Sequence, residues 1–313
     1  MNATPRLLWL GLLTASVATV ALIGCGGRRD LSDMSSRQLL NYGLENYQNE
    51  KYLKAVNAFQ TIVFNYPGND FIDTAQYYLA QSYYGEKEYT LASVEYNRLL
   101  VNYPASPFAP TAQLMKAVCF YEGTPKNYGL DQTDLETAIR QFEDYIIDYP
   151  ESDAMGQARE YLTRAKSRLA LKDYKSGVVY VRVGDLRAAR TYFQRVVDEY
   201  TETEYAALAS YQLAECDYKE KKYAEALERF ENFRVVFPDH EWVPKAAERA
   251  CDAAFKGGRK AFEEGRMADA RALFGKVTGV CGTDNDKAGK AQDYLNRIVD
   301  SVVVDTSEAH AGS

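Results

Sequence analysis

Apolar positions recur along this chain with one spacing. An apolar residue is followed three positions later by Ala and seven positions later by an aromatic, and most copies add an aromatic-Pro pair fourteen and fifteen positions on. The copies are Tyr52/Ala55/Phe59/Tyr66-Pro67, Tyr89/Ala92/Tyr96/Tyr103-Pro104 and Leu135/Ala138/Phe142/Tyr149-Pro150, then Leu186/Ala189/Phe193/Tyr200-Thr201, Tyr223/Ala226/Phe230/Phe237-Pro238 and Met267/Ala270/Phe274. Steps of three, four and seven place these residues on one stripe of a helix. The Pro ends it, lacking the N–H that the next turn would need. Twelve positions before five of the Ala markers stand Gly43, Ala80, Gly177, Ala214 and Gly258. Such small residues let a preceding helix approach the stripe closely, so each copy predicts a pair of antiparallel helices.

The Ala-to-aromatic step of four and the Ala-to-Pro step of twelve are similar to those of the second helix of a tetratricopeptide repeat. The chain therefore reads as all-α, a right-handed α-solenoid of about five to six such helix pairs. The markers are separated by 37, 46, 51, 37 and 44 residues, so the base unit is 37 and the insertions are 9, 14 and 7. Insertions of 7 and 14 are close to two and four turns at 3.6 residues per turn, and lengthen a helix without rotating its apolar face. The larger one predicts a single long helix across 152–183. The smaller follows Trp242-Val243-Pro244, where Pro suits a first helical position. The insertion between Glu122 and Asp134 carries Gly123, Pro125 and Gly129, and predicts a loop inside the third repeat. Repeats 1–3 then occupy 37–151 and repeats 4–6 occupy 152–300, followed by a disordered tail at 301–313.

The first residues give an address. Arg6 precedes an apolar run from Leu7 to Ile23, shorter than the roughly 20 residues of a membrane-spanning helix and flanked in the order of a signal peptide. The run ends in Leu22-Ile23-Gly24-Cys25, which resembles the bacterial lipobox. That resemblance implies a signal peptide at 1–24 and a lipidated linker at 25–36, with N-acyl and S-diacylglycerol lipid on Cys25 and no other cofactor. An ordinary signal sequence with an incidental Cys is the other reading. Gly26 rather than Asp follows the Cys, which implies the outer membrane of a Gram-negative bacterium, with the protein anchored by lipid on the periplasmic face. Cleavage would remove one cation, Arg6, leaving 36 Lys+Arg (37 − 1) against 44 Asp+Glu, a net charge of −8. That balance argues against a nucleic-acid partner, whose phosphates need clustered cations.

Together the lipobox, the Tyr-Pro repeat endings and the segment Asn127-Tyr-Gly-Leu-Asp-Gln-Thr133 leading into Leu135–Pro150 resemble the BamD family. These are lipoprotein subunits of the outer-membrane β-barrel assembly machinery. The resemblance covers residues 25 to about 240, and the sixth copy and the tail depart from the familiar five-repeat form. It implies a non-enzymatic subunit, anchored in the lipid bilayer, whose partners are a BamA-like barrel-forming protein, bound through its periplasmic domains, and unfolded outer-membrane proteins recognised by their C-terminal signals. Repeats 1–3 would form the substrate side and repeats 4–6 the side facing the rest of the complex. Other lipidated repeat adaptors, a secretin pilotin or a Tol–Pal-associated scaffold, are the alternative. A pilotin is not expected to carry the Asp131-Gln132-Thr133 loop, and no heptad run precedes residue 38 as the N-terminal coiled coil of a Tol–Pal-associated protein would require.

In a repeat of this type the first helices line the concave face, and positions 8 and 15 before the marker Ala point into it. In repeats 1–3, allowing for the nine-residue loop in the third, these positions hold Leu40, Tyr47, Tyr77, Tyr84, Leu114 and Tyr121. The candidate peptide contacts among them are Tyr47, Tyr77, Tyr84, Leu114 and Tyr121, with Gln81 between two of them. Tyr rings have an apolar body and a hydroxyl, suited to an extended strand that alternates apolar and polar side chains and ends in an aromatic. Packing between adjacent helices is the competing role for each. Catalysis and metal binding have no basis here: the 2 His stand apart at 240 and 310, and the 282–290 segment fits neither a phosphate loop nor a calcium loop. Cys251 lies 14 residues before Gly265 and Cys281 lies 16 after it. A helical hairpin turning at Gly265 would set them side by side for a disulfide; two separate thiols are the alternative. Cys119 and Cys216 read as reduced core residues.

Overall fold

The structure, a computed structural model, describes residues 31–283 and 285–311, with side chains to residue 299. After a turn of 3₁₀-helix at Leu31–Asp33 come α1 (Ser36–Gln48), α2 (Tyr52–Asn65), α3 (Ile72–Gly85), α4 (Tyr89–Asn102), α5 (Ala109–Gly123), α6 (Thr133–Asp148) and α7 (Met155–Val183). Then follow α8 (Leu186–Glu199), α9 (Glu204–Lys219), α10 (Tyr223–Val236), α11 (Val243–Glu263), α12 (Met267–Cys281) and α13 (Asp286–Ala311). Among the described residues there is no strand. The first twelve helices pair into six repeats, each helix packs on the next, and α13 closes the end against α12 and α11. The protein is an α-solenoid of tetratricopeptide-like repeats.

The spacing in the sequence is the packing of the core. All six marker alanines and all six following aromatics, Phe59, Tyr96, Phe142, Phe193, Phe230 and Phe274, are fully buried. Phe59, Phe193 and Phe274 lie against Gly43, Gly177 and Gly258 of their partner helices. A Cβ added at Gly43, Gly177 or Gly258 would lie 2.6, 2.6 or 2.7 Å from the ring of Phe59, Phe193 or Phe274, which is inside van der Waals contact. Glycine there is a requirement of close approach.

Local signals set the ends. Ser35 and Gln38 form a reciprocal capping box at the start of α1. Between the helices of repeats 1, 2, 4, 5 and 6 one residue takes a left-handed conformation: Glu50, Lys87, Gly184, Lys221 and Gly265. The third repeat instead spans 124–132 with the loop that Gly123 and Pro125 predict. Gln132, 1% exposed, sets its Nε2, which has two hydrogens to donate, within hydrogen-bond distance of the carbonyls of Pro125, Asn127, Leu130 and Asp131, and so holds that loop in one shape.

The 14-residue insertion appears as α7, 29 residues long. Ion pairs hold repeats 4 and 5. Arg195 pairs with the buried Asp173 within repeat 4. Arg190 joins repeat 4 to Asp217 of repeat 5 at 2.6 Å, and Arg229 pairs with the same Asp217 at 2.8 Å within repeat 5. Cys251 and Cys281 form a disulfide with Cα atoms 4.9 Å apart. Cys119 and Cys216 are buried free thiols, whose pKa values burial pushes up to about 12 and about 11. One boundary differs from the sequence reading. The backbone of α13 continues to Ala311, past the expected end of order at 301, because no Gly or Pro interrupts 290–311.

Candidate functional site

The first helices of repeats 1 and 2 bring four of the six groove residues into one row. On α1, the Tyr47 hydroxyl donates to Gln81 Oε1 of α3 at 3.5 Å. Gln81 Nε2 in turn donates to the Tyr77 hydroxyl at 2.6 Å. Tyr47 meets Tyr52 and Tyr78 edge-on, with centroids 5.8 and 5.2 Å away. Tyr77 stacks on Phe108 at 4.4 Å, and Tyr84 meets Tyr89 edge-on at 5.5 Å. Burial raises the pKa values of Tyr47, Tyr77 and Tyr84, so these phenols stay neutral and remain donors. All four residues are half-buried, held from behind and accessible in front.

Valences stay open along this row. Tyr77 accepts from Gln81 and keeps its own proton to donate; Gln81 uses one of its two amide hydrogens; Tyr47 donates and keeps its lone pairs. A neutral surface with rings for apolar side chains and spare donors and acceptors is suited to the backbone of an extended peptide.

Leu114 and Tyr121 depart from the sequence reading. Both are buried in the core between repeats 3 and 4. The extra turns of α7 cause this: Tyr161 meets Tyr121 edge-on at 5.3 Å, with the guanidiniums of Arg164 and Arg168 5.4 and 5.1 Å from the Tyr121 ring. Arg168 also donates to the carbonyls of Tyr121, Thr124 and Pro125, tying the 124–132 loop to α7. Sequence spacing missed Arg168 and Gln132, since neither lies on the repeating stripe.

The equivalent face of repeats 5 and 6 has different chemistry. There Glu215 pairs with Arg249 at 2.7 Å, and Asp252 pairs with Lys256 and Lys287 at 2.9 and 3.1 Å. Arg249 and Lys256 lie over the Tyr218 ring. Charges are matched within the fold, whereas repeats 1 and 2 present a neutral row. His240 accepts from the Trp242 N–H at 3.1 Å and packs between Phe233 and Trp242. Among the described residues no group of three or more His, Cys, Asp or Glu is placed to hold a metal ion.

Comparison with known proteins adds a family to this geometry. The profile of YfiO, described as an outer membrane lipoprotein family, matches residues 32–210. The chain belongs to the YfiO family. A tetratricopeptide repeat-like profile matches 175–278. Among curated relatives, the chain is 24% identical over 238 residues to an outer membrane protein assembly factor BamD of Rickettsia prowazekii, covering 75% of this chain and 94% of that one. It is 23% identical over 184 residues to BamD of Caulobacter vibrioides, covering 59% of this chain and 48% of the relative. Among solved structures, the TPR2AB domain of yeast Sti1 aligns at TM-score 0.37 and 13% identity, covering 84% of this chain and 98% of that chain. The family match spans the tyrosine row and the 124–132 loop. Cys25 lies outside the described residues. Among the described residues, no helix is long and apolar enough to cross a membrane.

Proposed function

We propose that this YfiO-family protein is a non-enzymatic, lipid-anchored subunit of the machinery that assembles β-barrels in the outer membrane. In this reading it binds a BamA-like barrel-forming partner and recognises the C-terminal strands of unfolded barrel proteins. The observation that carries the substrate role is the row Tyr47–Gln81–Tyr77, neutral and hydrogen-bonded, with open valences on the first helices of repeats 1 and 2. A barrel's final strand alternates apolar and polar side chains and ends in an aromatic. Its rings would pack on Tyr47, Tyr77 and Tyr84, and its amides would meet Gln81.

Peptides with barrel C-terminal sequences test this by fluorescence anisotropy. Gln81→Leu removes the spare donors and acceptors and should weaken binding about fivefold to tenfold, corresponding to one lost hydrogen bond, with unchanged far-UV circular dichroism. Unchanged affinity would refute the row as the site. For the partner, affinity purification from detergent-solubilised outer membrane should recover a barrel protein with periplasmic domains. Recovery of secretin or Tol–Pal components in its place would overturn the assembly role.

A further inference from the structure

Large apolar side chains stand in solvent on the outer faces of the second helices of repeats 1 and 2. Leu53 and Phe64 on α2 are 65% and 64% exposed, and Val94 and Val101 on α4 are 43% and 68% exposed. Phe64 and Val101 occupy one repeat position, nine residues after the marker Ala, and Leu53 and Phe64 share a face of their helix. These helices carry almost no charge. Lys54 is the one charged residue of α2, and α4 has Glu95 and Arg98. Glu95 is buried, accepts from Gln76 Nε2 at 2.7 Å, and pairs with Arg98 at 2.7 Å. Each face therefore offers apolar side chains beside one exposed basic side chain, Lys54 on α2 and, on α4, Arg98 with its buried partner Glu95. The later repeats differ in the charge around this position. The exposed Ile147 of α6 is flanked by the exposed Asp144 and Asp148, the exposed Val235 of α10 stands on a helix with Glu225, Glu228, Arg229, Glu231 and Arg234, and the same position in α8 is Asp198.

Placement supplies the occupant. Helix α1 runs antiparallel to α2, so its start lies at the edge where α2 ends, the end that carries Phe64. The described chain begins at Leu31, and Cys25 is six residues earlier. Six residues span at most about 20 Å, roughly the length of α2 itself.

We infer that the outer faces of α2 and α4 rest on the lipid bilayer, with Phe64 and Val101 in the headgroup–acyl boundary and Lys54 and Arg98 against phosphate. This rests on the reading of Cys25 as an acylated anchor. Partial insertion of apolar side chains beside cations is how monotopic surfaces engage anionic membranes. The anchor keeps the protein at the membrane, and this face sets its orientation. The Tyr47–Gln81–Tyr77 row, on the first helices, is then directed away from the bilayer.

The test uses the full acylated protein in phosphatidylethanolamine–phosphatidylglycerol vesicles. An environment-sensitive fluorophore is attached at Phe64→Cys, Val101→Cys or, as a control on α10, Glu228→Cys. Nitroxide-bearing lipid should quench the probes at 64 and 101 about threefold more than the probe at 228, because only side chains in the boundary meet the quencher. Equal quenching at all three positions in protein that floats with the vesicles would overturn the inference and leave the anchor intact. Failure to float would refute the anchor reading and this inference with it. Probes at 64 and 101 that are unquenched in vesicles but shielded by added outer-membrane proteins would mark the face as a protein interface, overturning the lipid assignment.

Discussion

At the scale of the residue, one position breaks the repeat rule and shows its cost. Five repeats place Phe four residues after the marker Ala, whereas repeat 2 has Tyr96, fully buried with a hydroxyl that has no hydrogen-bond partner. Desolvation raises its pKa, so the phenol is neutral but unsatisfied. Tyr96→Phe keeps the ring and removes the orphaned group. It should stabilise the fold by about 1 kcal/mol, seen as a rise of about 2–4 °C in Tm. A lower Tm would show that the hydroxyl has a partner in solution. Asp252 presents the opposite case. Burial disfavours its charge, but hydrogen bonds from Tyr218, Lys256 and Lys287 outweigh that and hold its carboxyl down to about 2, against 3.8 ordinarily. A depressed folded-state pKa contributes stability that is complete above the unfolded value and is lost as pH falls through the folded one. The stability gap between wild type and Asp252→Asn, measured by urea unfolding, should therefore be full at pH 7 and shrink as the pH falls from about 4 to about 2. A gap of constant size would exclude the ion pair as its source.

At the scale of the element, the hairpin of α11 and α12 shows what spacing can and cannot reveal. Gly265 turns the chain with φ of +73°, and the antiparallel helices bring Cys251 to Cys281, 14 residues before the turn and 16 after it. Cross-linking this 30-residue separation stabilises the end of the solenoid by about 3–4 kcal/mol in the chain-entropy model. A terminal repeat has a neighbour on one side only, so reduction should give a separate, earlier urea transition for repeat 6 by hydrogen exchange while repeats 1–3 keep their protection. Uniform loss of protection would mean the solenoid unfolds as one unit. The hairpins, the long α7 and the loop of repeat 3 were legible because each depends on local chemistry: a stripe, a whole number of turns, a Gly and a Pro. The burial of Leu114 and Tyr121 was not. Their positions fix which face of α5 they occupy, but whether that face stays open depends on how far α7 extends over it. Arg168 and Gln132 act through backbone carbonyls, which leave no trace in a side-chain pattern.

At the scale of the whole molecule, the two ends differ in the forces that hold them. Repeats 1 and 2 join through aromatic contacts and neutral hydrogen bonds, whereas ion pairs cross from repeat 4 to 5 and from 5 to 6 and a disulfide closes the hairpin of repeat 6. The neutral end is the one from which the chain leads back to Cys25, and the buried core of the described residues begins at Leu39. Anchoring and folding are therefore separable. Cys25→Ala should yield a protein with the same helical circular dichroism and the same Tm, because the buried core that holds the repeats together begins at Leu39. It should nevertheless leave the membrane fraction after a high-salt wash. Several acyl chains, at about 0.8 kcal/mol per buried CH₂, hold a protein durably, whereas a few half-exposed side chains and two cations give an attachment that salt weakens. The measurement is fractionation of outer membranes before and after washing, alongside a melt of the soluble variant. Retention of Cys25→Ala through the wash would show that protein partners, not lipid, are the principal tether, while an altered melt would show that the linker belongs to the fold.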